Sequence, residues 1–208
     1  MIKITLKGGT VKEYDSAITA ADVAKDIGMG LYKSACGCRI DGKVCDLRTV
    51  IGSDCVLDIL TFDDKDGKRI FRHTAAHITA QAVKRLYPNT KLAIGPATDD
   101  GFYYDFDVEK PFSPDDLAAL EAEIKKIVKD DIELIRENVS PDEARAIMSE
   151  RGEQYKLELI DEHKFAEAVI EELFEEEYLV IVEVACLDNE FWCTAKFVIA
   201  NSINDAEI

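Results

Sequence analysis

The chain has 208 residues, of which 47% are apolar and 32% are charged, and its formal net charge is −17 at pH 7. This composition is typical of a globular protein with room for one large or two small domains. The sequence contains no run of 18 apolar residues, and residues 1–6 alternate like a strand instead of resembling a signal peptide. We therefore expect no membrane association and a cytoplasmic location.

The negative charge is confined to the second half of the chain. Residues 1–110 contain 16 basic and 16 acidic groups, whereas residues 111–208 contain 9 basic and 26 acidic groups. A partner that carries phosphates is therefore expected to meet the first half.

The six cysteines follow neither a disulfide-framework spacing nor a zinc-site spacing. Cys36 and Cys38 are separated by one residue, which is too close for the Cys-x-x-Cys motif of zinc and redox sites. We expect the cysteines to be reduced and to pack as small apolar side chains.

Residues 1–62 are predicted to form a small domain with the strand–strand–helix–strand–strand order of a β-grasp fold. Apolar residues alternate along residues 2–6, and a Gly-Gly turn leads to a second strand. Thr19 begins a short helix that ends before a glycine. The Asp41-Gly42 pair predicts a hairpin, and residues 56–60 form the last strand.

Residues 63–208 are predicted to form a second domain of the α+β class, with one sheet and helices packed on it. It begins with a polar linker at residues 63–68. The elements that the pattern predicts after the linker are a helix that contains His73 and His77, strands at 91–94 and 101–107, a helix capped by Ser113, a strand at 132–135, a short helix capped by Ser140, a strand at 155–159, an acidic helix at 165–178, and strands at 179–184 and 191–200.

His73 and His77 are two of the three histidines in the chain and stand four residues apart in a predicted helix. Residues at this spacing lie on one face of the helix, one turn apart. The apolar residues of the helix form a separate stripe, so the imidazoles point either to solvent or to a second layer of the protein. The stripe consists of Phe71, Ala75, Ile78, Ala82 and Leu86.

The histidine pair is compatible with several kinds of surface or site. Zinc proteases carry a glutamate directly after the first histidine, and here that residue is Thr74, which argues against a protease. Exposed surface, a metal site with a distant third ligand, and general acid–base chemistry near neutral pH are all compatible with the spacing.

Longer motifs point to a family. They read R-H-T-A-A-H at 72–77, L-Y-P-N-T-K-L-A-I-G-P at 86–96, D-G-F-Y-Y-D-F at 100–106, E-A-R at 143–145 and R-G-E-Q-Y-K at 151–156. Together with the β-grasp order, they resemble the amino-terminal half of bacterial threonyl-tRNA synthetase over residues 1 to about 162. The resemblance implies a TGS domain at 1–62 and, at 63–208, an α/β-sandwich editing domain with an H-x-x-x-H helix, whose tail at 163–208 diverges.

The editing domain of that family hydrolyses seryl-tRNA that has been made in error on threonine tRNA, because the synthetic site cannot reject serine well enough. The resemblance implies that His73 and His77 orient or activate the attacking water, and that Lys156 lies near the terminal adenosine. It implies that Tyr104 is an aromatic residue of the substrate site. Threonine-specific tRNA is the implied partner, and the resemblance requires no metal or other cofactor. It implies no oligomeric state.

The sequence departs from the family after Lys156. The family continues to a Cys-x-x-x-His motif, whereas here Cys186 is followed at the fourth place by Glu190, and His163 matches no family position. No segment resembles the synthetase catalytic, zinc-binding or anticodon-binding domains, so we expect no activation of threonine with ATP. Three hypotheses follow: a region that hydrolyses mischarged tRNA, an inactive remnant that binds RNA or a partner, and the product of a truncated or frame-shifted synthetase gene.

Overall fold

The computed structural model describes residues 1–131, 134–162, 168–173 and 180–186. The chain divides into two compact units, and the division between the two falls between Thr74 and Ala75. This division lies inside one continuous helix of 22 residues, Lys65–Leu86.

The first unit contains seven strands and two short helices before the long helix. The strands are β1 (Ile2–Leu6), β2 (Val11–Tyr14), β3 (Ile18–Thr19), β4 (Ala35–Ile40), β5 (Lys43–Cys45), β6 (Val50–Ile51) and β7 (Cys55–Thr61). The helices are α1 (Ala20–Ile27), α2 (Met29–Ser34) and the long helix α3 (Lys65–Leu86). Five strands form one sheet in the order β2-β1-β7-β4-β5, with β1 and β7 parallel and the other pairs antiparallel. This is the predicted β-grasp arrangement.

Short-range signals set the ends of these elements, as predicted. The Thr19 hydroxyl accepts a hydrogen bond from the backbone N–H of Asp22 at 3.1 Å and caps α1, which ends at Gly28. The Asp41-Gly42 turn joins β4 to β5. Helix α2 and the small β3–β6 ladder were not predicted.

The core of the first unit lies between the sheet and α1. Eight buried residues form it: Ile4, Ala20, Val23, Ala35, Cys38, Leu47, Ile51 and Leu57. Cys36 is also fully buried, and burial raises the pKa of its thiol to about 12. Within the described part of the chain, Cys36, Cys38, Cys45 and Cys55 form no disulfide bond. The buried thiols are therefore neutral and pack as apolar side chains.

The first turns of α3 are fixed to the sheet by charge and by apolar packing. The Arg39 guanidinium on β4 contacts Asp58 on β7 at 3.1 Å and also pairs with Asp66 in α3. Ile70 packs in a cluster with Cys36 and Leu60. The polar segment that was predicted as a linker is therefore helical from Lys65 onwards.

Over its described residues, the second unit continues α3 and adds two small sheets and three helices. The strands are β8 (Lys91–Leu92), β9 (Phe106–Asp107), β10 (Leu134–Val139), β11 (Ala168–Leu173) and β12 (Val180–Cys186), and the helices are α4 (Pro114–Asp130), α5 (Pro141–Glu150) and α6 (Gln154–Glu162). β8 pairs with β9, and β11 lies between β10 and β12 in an antiparallel sheet. Ser113 and Ser140 close capping boxes at the starts of α4 and α5, as predicted. No helix in the described part of the chain is long and apolar enough to cross a membrane.

Two predicted elements of the second unit were wrong. Residues 155–159 were predicted as a strand but belong to α6, and the acidic helix predicted at 165–178 is strand β11 over its described residues. β11 forms ladders with two neighbouring strands, and such non-local pairing overrides a local helical pattern.

Other predictions for the second unit fit in part. The strand predicted at 101–107 is limited to Phe106–Asp107, and the strand predicted at 179–184 is β12. The strand predicted at 132–135 is observed from Leu134 onwards. His163 and the strand predicted at 191–200 lie outside the described residues.

The close approach of α3 to the end of β7 predicts the effect of a small substitution. A Cβ atom on Gly67 would lie 1.8 Å from the Thr61 carbonyl oxygen. We expect Gly67→Ala to lower the free energy of unfolding by at least about 1–3 kcal/mol, since the backbone must shift. Gly30 in α2 has no atom within 4 Å of such a Cβ, so Gly30→Ala should stabilise the chain by about 0.5–1 kcal/mol. Urea unfolding followed by circular dichroism measures both, and equal effects would contradict the observed packing.

Candidate functional site

Helix α3 carries the histidine pair. His77 lies in the second unit and is only 1% exposed, whereas His73 lies one turn earlier, in the first unit, and is half-buried. Residues 76–78 and 80–83 are all buried, so this part of α3 is covered on every side. The sequence allowed the imidazoles to face either solvent or a second layer of the protein. His77 faces a second layer of the protein.

A buried ion pair holds α3 against the rest of the second unit. The Lys84 ammonium contacts Glu153 at 2.9 Å and donates a hydrogen bond to the Thr90 carbonyl at 3.0 Å. The second carboxylate oxygen of Glu153 accepts a hydrogen bond from the Leu92 N–H at 3.4 Å. The Glu153 side chain is 6% exposed and that of Lys84 is 21% exposed. One carboxylate thus connects α3, β8 and the start of α6.

Lys156 lies in the first turn of α6 and is 2% exposed. Its ammonium donates a hydrogen bond to the Ala93 carbonyl at 2.8 Å, and its backbone N–H donates to the Glu153 carbonyl at 3.1 Å. A buried ammonium loses its hydration, so it must be held by protein acceptors. The predicted site lysine is therefore an interior group on a helix and not a solvated strand residue.

Tyr104 is half-buried and stacks on Phe106 with ring centroids 4.7 Å apart. Both rings pack against a small buried cluster formed by Ala80 of α3 and Leu92 of β8. A Cβ atom on Gly95 would lie 2.2 Å from the Tyr104 ring, so the glycine lets the ring approach the backbone. The tyrosine is fixed in place by this packing.

Two of the four predicted site residues, Lys156 and Tyr104, therefore contact the same short segment of the second unit. Lys156 binds the carbonyl of Ala93, while Tyr104 packs against Leu92 and against Ala80, three residues after His77 on α3. His73 lies in the first unit, on the same helix as His77. The sequence missed Lys84 and Glu153, because a lysine and a glutamate far apart in the chain give no signal that they pair in the interior.

No group of three or more His, Cys, Asp or Glu side chains that could hold a metal ion occurs among the described residues. Cys186 is the last residue of β12. A cavity of about 330 Å³ lies elsewhere in the second unit and contains none of the four predicted residues. Its lining includes Tyr87, Val108, Phe112 and Asp116.

Comparison with known proteins gives two results. Residues 2–61 match the TGS domain family. The chain is also similar to the amino-terminal region of proteins named threonine--tRNA ligase. It is 55% identical to that of Acetivibrio thermocellus over 160 residues, 49% identical to that of Clostridioides difficile over 162 residues, and 45% identical to that of Symbiobacterium thermophilum over 161 residues.

These matches cover 77–78% of this chain and 25% of each of the three ligases. The chain thus spans about a quarter of the length of the relatives it matches. The resemblance to the amino-terminal region of threonyl-tRNA synthetase is confirmed, as is the TGS domain at the start of the chain.

The Gly95–Tyr104 contact generates one prediction. We expect Gly95→Ala to lower the free energy of unfolding by about 1–3 kcal/mol, because the new methyl group displaces the ring. The same substitution should cost less in a Tyr104→Ala background, since the obstructing ring is then absent. Gly101→Ala is the control, because a Cβ there meets no atom within 4 Å. Additive effects of the two changes would contradict the contact.

The Lys84–Glu153 pair generates a second prediction. We expect Glu153→Gln to lower the free energy of unfolding by about 3 kcal/mol, because it leaves the partly buried ammonium without a counter-charge. In a double-mutant cycle with Lys84→Met, the two losses should be strongly non-additive. Glu121→Gln breaks an exposed pair with Lys125 and should change the free energy by less than about 1 kcal/mol. If both glutamates give the same small loss, the buried pair does not have the role assigned to it.

Proposed function

We propose that this chain is a proofreading region that hydrolyses the ester bond of seryl-tRNA mischarged on threonine tRNA. Two observations support the proposal. The chain is similar to threonine--tRNA ligases over the residues that carry its motifs. In addition, the second unit holds His77 and Lys156 in its interior, which is an unusual place for such side chains unless they serve a site.

The proposed chemistry is acyl transfer to water. A water molecule attacks the ester carbonyl, and an imidazole of His73 or His77 accepts its proton, since imidazole exchanges protons near neutral pH. The C–O bond to the ribose then breaks, and the ribose oxygen takes up the proton. The products are free serine and uncharged tRNA.

Lys156 and Tyr104 have supporting roles in this proposal. The ammonium of Lys156 is held by the Ala93 carbonyl and would stabilise the negative charge that develops near the ester and the terminal adenosine. Tyr104, fixed by its stack on Phe106, would offer an aromatic surface to the bound substrate. Neither role requires a metal or another cofactor.

The charge distribution supports an approach of tRNA from the first half of the chain. Residues 1–110 are balanced at 16 basic and 16 acidic groups, and the whole excess of 17 negative charges lies behind them. Phosphates are repelled by the acidic half, so the tRNA backbone would be bound by residues in the first half of the chain. We infer a cytoplasmic location, where aminoacyl-tRNA is made.

A second candidate is binding without hydrolysis. One observation favours it: the sequence contains no Cys-x-x-x-His motif, which the synthetase editing site uses beside its histidine pair. In this case the chain would bind tRNA or a partner protein through the same surface and leave the ester intact.

An assay of serine release separates the two candidates. We expect the chain to release serine from seryl-tRNA specific for threonine while it spares threonyl-tRNA, and we expect His73→Ala to reduce the rate by at least about 100-fold. Lys156→Met, which keeps the length of the buried side chain, should also lose activity while it remains folded.

The control for binding is the affinity for tRNA, measured by filter retention at several salt concentrations. In both candidates the affinity persists after His73→Ala and weakens as salt is added. Serine release that equals the rate in buffer, together with such binding, would rule out hydrolysis and leave the second candidate. Absence of both serine release and tRNA affinity would exclude hydrolysis and tRNA binding alike, and would leave only binding of a partner protein.

A further inference from the structure

Gln81 is a buried amide on the histidine-bearing helix. The residue is 0% exposed, and within the described part of the chain neither its Nε2 nor its Oε1 atom has a hydrogen-bond partner. The two cations that follow it on α3 are satisfied, since Lys84 pairs with Glu153 and Arg85 pairs with Glu123 at 2.6 Å. Gln81 thus differs from its charged neighbours on the same helix.

An amide without partners lowers the stability of a core. Burying its donor and acceptor removes their hydrogen bonds to water and gives none in return. Methionine or leucine has a similar volume and would fill the same space without this loss. An amide without partners at a fully buried position therefore needs an explanation, and a bound ligand that supplies the missing partners is one.

The position of Gln81 connects it to the proposed site. It follows His77 by four residues in α3 and therefore lies on the same helix face, one turn further on. The intervening residue Ala80 packs in the cluster that holds Tyr104 and Leu92.

We propose that the Gln81 side-chain amide binds the hydroxyl group of the seryl moiety of the substrate. This inference rests on the proposed editing function and names the group that reads the amino acid. A hydroxyl both donates and accepts one hydrogen bond, and a primary amide offers a carbonyl acceptor and an NH₂ donor side by side. The hydroxyl is neutral, which agrees with the charges near Gln81. The neighbouring cations Lys84 and Arg85 are already paired with carboxylates, so no charge is left there for an ionic ligand group to neutralise.

The test compares two stable analogues, adenosine carrying serine or alanine through a 3′-amide link, titrated into the full chain by calorimetry. We expect the wild-type chain to bind the seryl analogue at least about tenfold more tightly than the alanyl analogue. Gln81→Met should bind both equally, with an unchanged or higher melting temperature. The matched control is Gln154→Met, because Gln154 lies on the surface of α6 and should keep the preference.

A second measurement uses the wild-type chain alone and does not depend on the folding of a variant. Selective ¹⁵N-glutamine labelling restricts the side-chain NH₂ spectrum to Gln81 and Gln154, the two glutamines of the sequence. The seryl analogue should shift the Gln81 signals in a saturable way, and the alanyl analogue should shift them much less.

Each outcome separates this inference from the proposed function. If the wild-type chain binds the seryl analogue and Gln81→Met keeps the preference, the Gln81 assignment is wrong while the editing proposal stands. If Gln81→Met lowers the melting temperature but keeps the preference for the seryl analogue, the Gln81 amide has a structural role and does not bind the hydroxyl. If the wild-type chain binds neither analogue, both the editing function and the role of Gln81 are refuted.

Discussion

The architecture of the second unit depends on the ion pair between Lys84 and Glu153. A carboxylate that is 6% exposed is stable only when its charge is matched and its lone pairs are occupied. Here the Lys84 ammonium supplies the charge and the Leu92 N–H a further hydrogen bond. Because these partners lie on α3 and β8 and Glu153 precedes α6, one buried charge fixes the mutual placement of three elements.

The placement of these elements determines where the polar interior groups lie. Lys156 follows Glu153 by three residues, and its ammonium is held on Ala93, the residue after Leu92. His77 precedes Lys84 on α3 by seven residues, which is about two turns and hence the same side of the helix. The ion pair therefore orients the helix of the lysine relative to the helix of the histidine.

The second unit buries several polar groups that lose their hydration in the folded chain. An ammonium, an imidazole and an amide are all at most 2% exposed, at Lys156, His77 and Gln81. Apolar side chains would pack in these places with less loss of hydration. Proteins tolerate such groups where a site needs them, and the similarity to threonine--tRNA ligases covers all three residues.

The sequence predicts those parts of the fold that depend on neighbouring residues. Thr19, Ser113 and Ser140 cap helices through bonds three residues away, and the Asp41-Gly42 pair forms its turn alone. All the residues that form such a cap or turn lie within a few positions of one another, so the local sequence is enough to predict it.

The predicted secondary structure is wrong where contacts between residues distant in the chain determine the conformation. Residues 155–159 alternate if Lys156 is counted as polar and exposed, which suggests a strand. In the structure Glu153, Lys156 and Ile160 are all buried, at the spacing of three and four that marks one helix face. The Glu153 carboxylate pairs with Lys84, and the Lys156 ammonium donates a hydrogen bond to the Ala93 carbonyl. A local pattern cannot reveal these partners, because they are distant in the chain. For the same reason the resemblance to a family predicts Lys156 as a site residue but not the Ala93 carbonyl that holds its ammonium.

The most direct test of the histidine site follows the imidazole proton signals of the three histidines while seryl-amide adenosine is added to the full chain. His73, His77 and His163 can be assigned by single substitutions. If the histidine pair binds the substrate, the His73 and His77 signals should shift in a saturable way and the His163 signal should not. Unchanged signals of His73 and His77 at saturating analogue would contradict such binding.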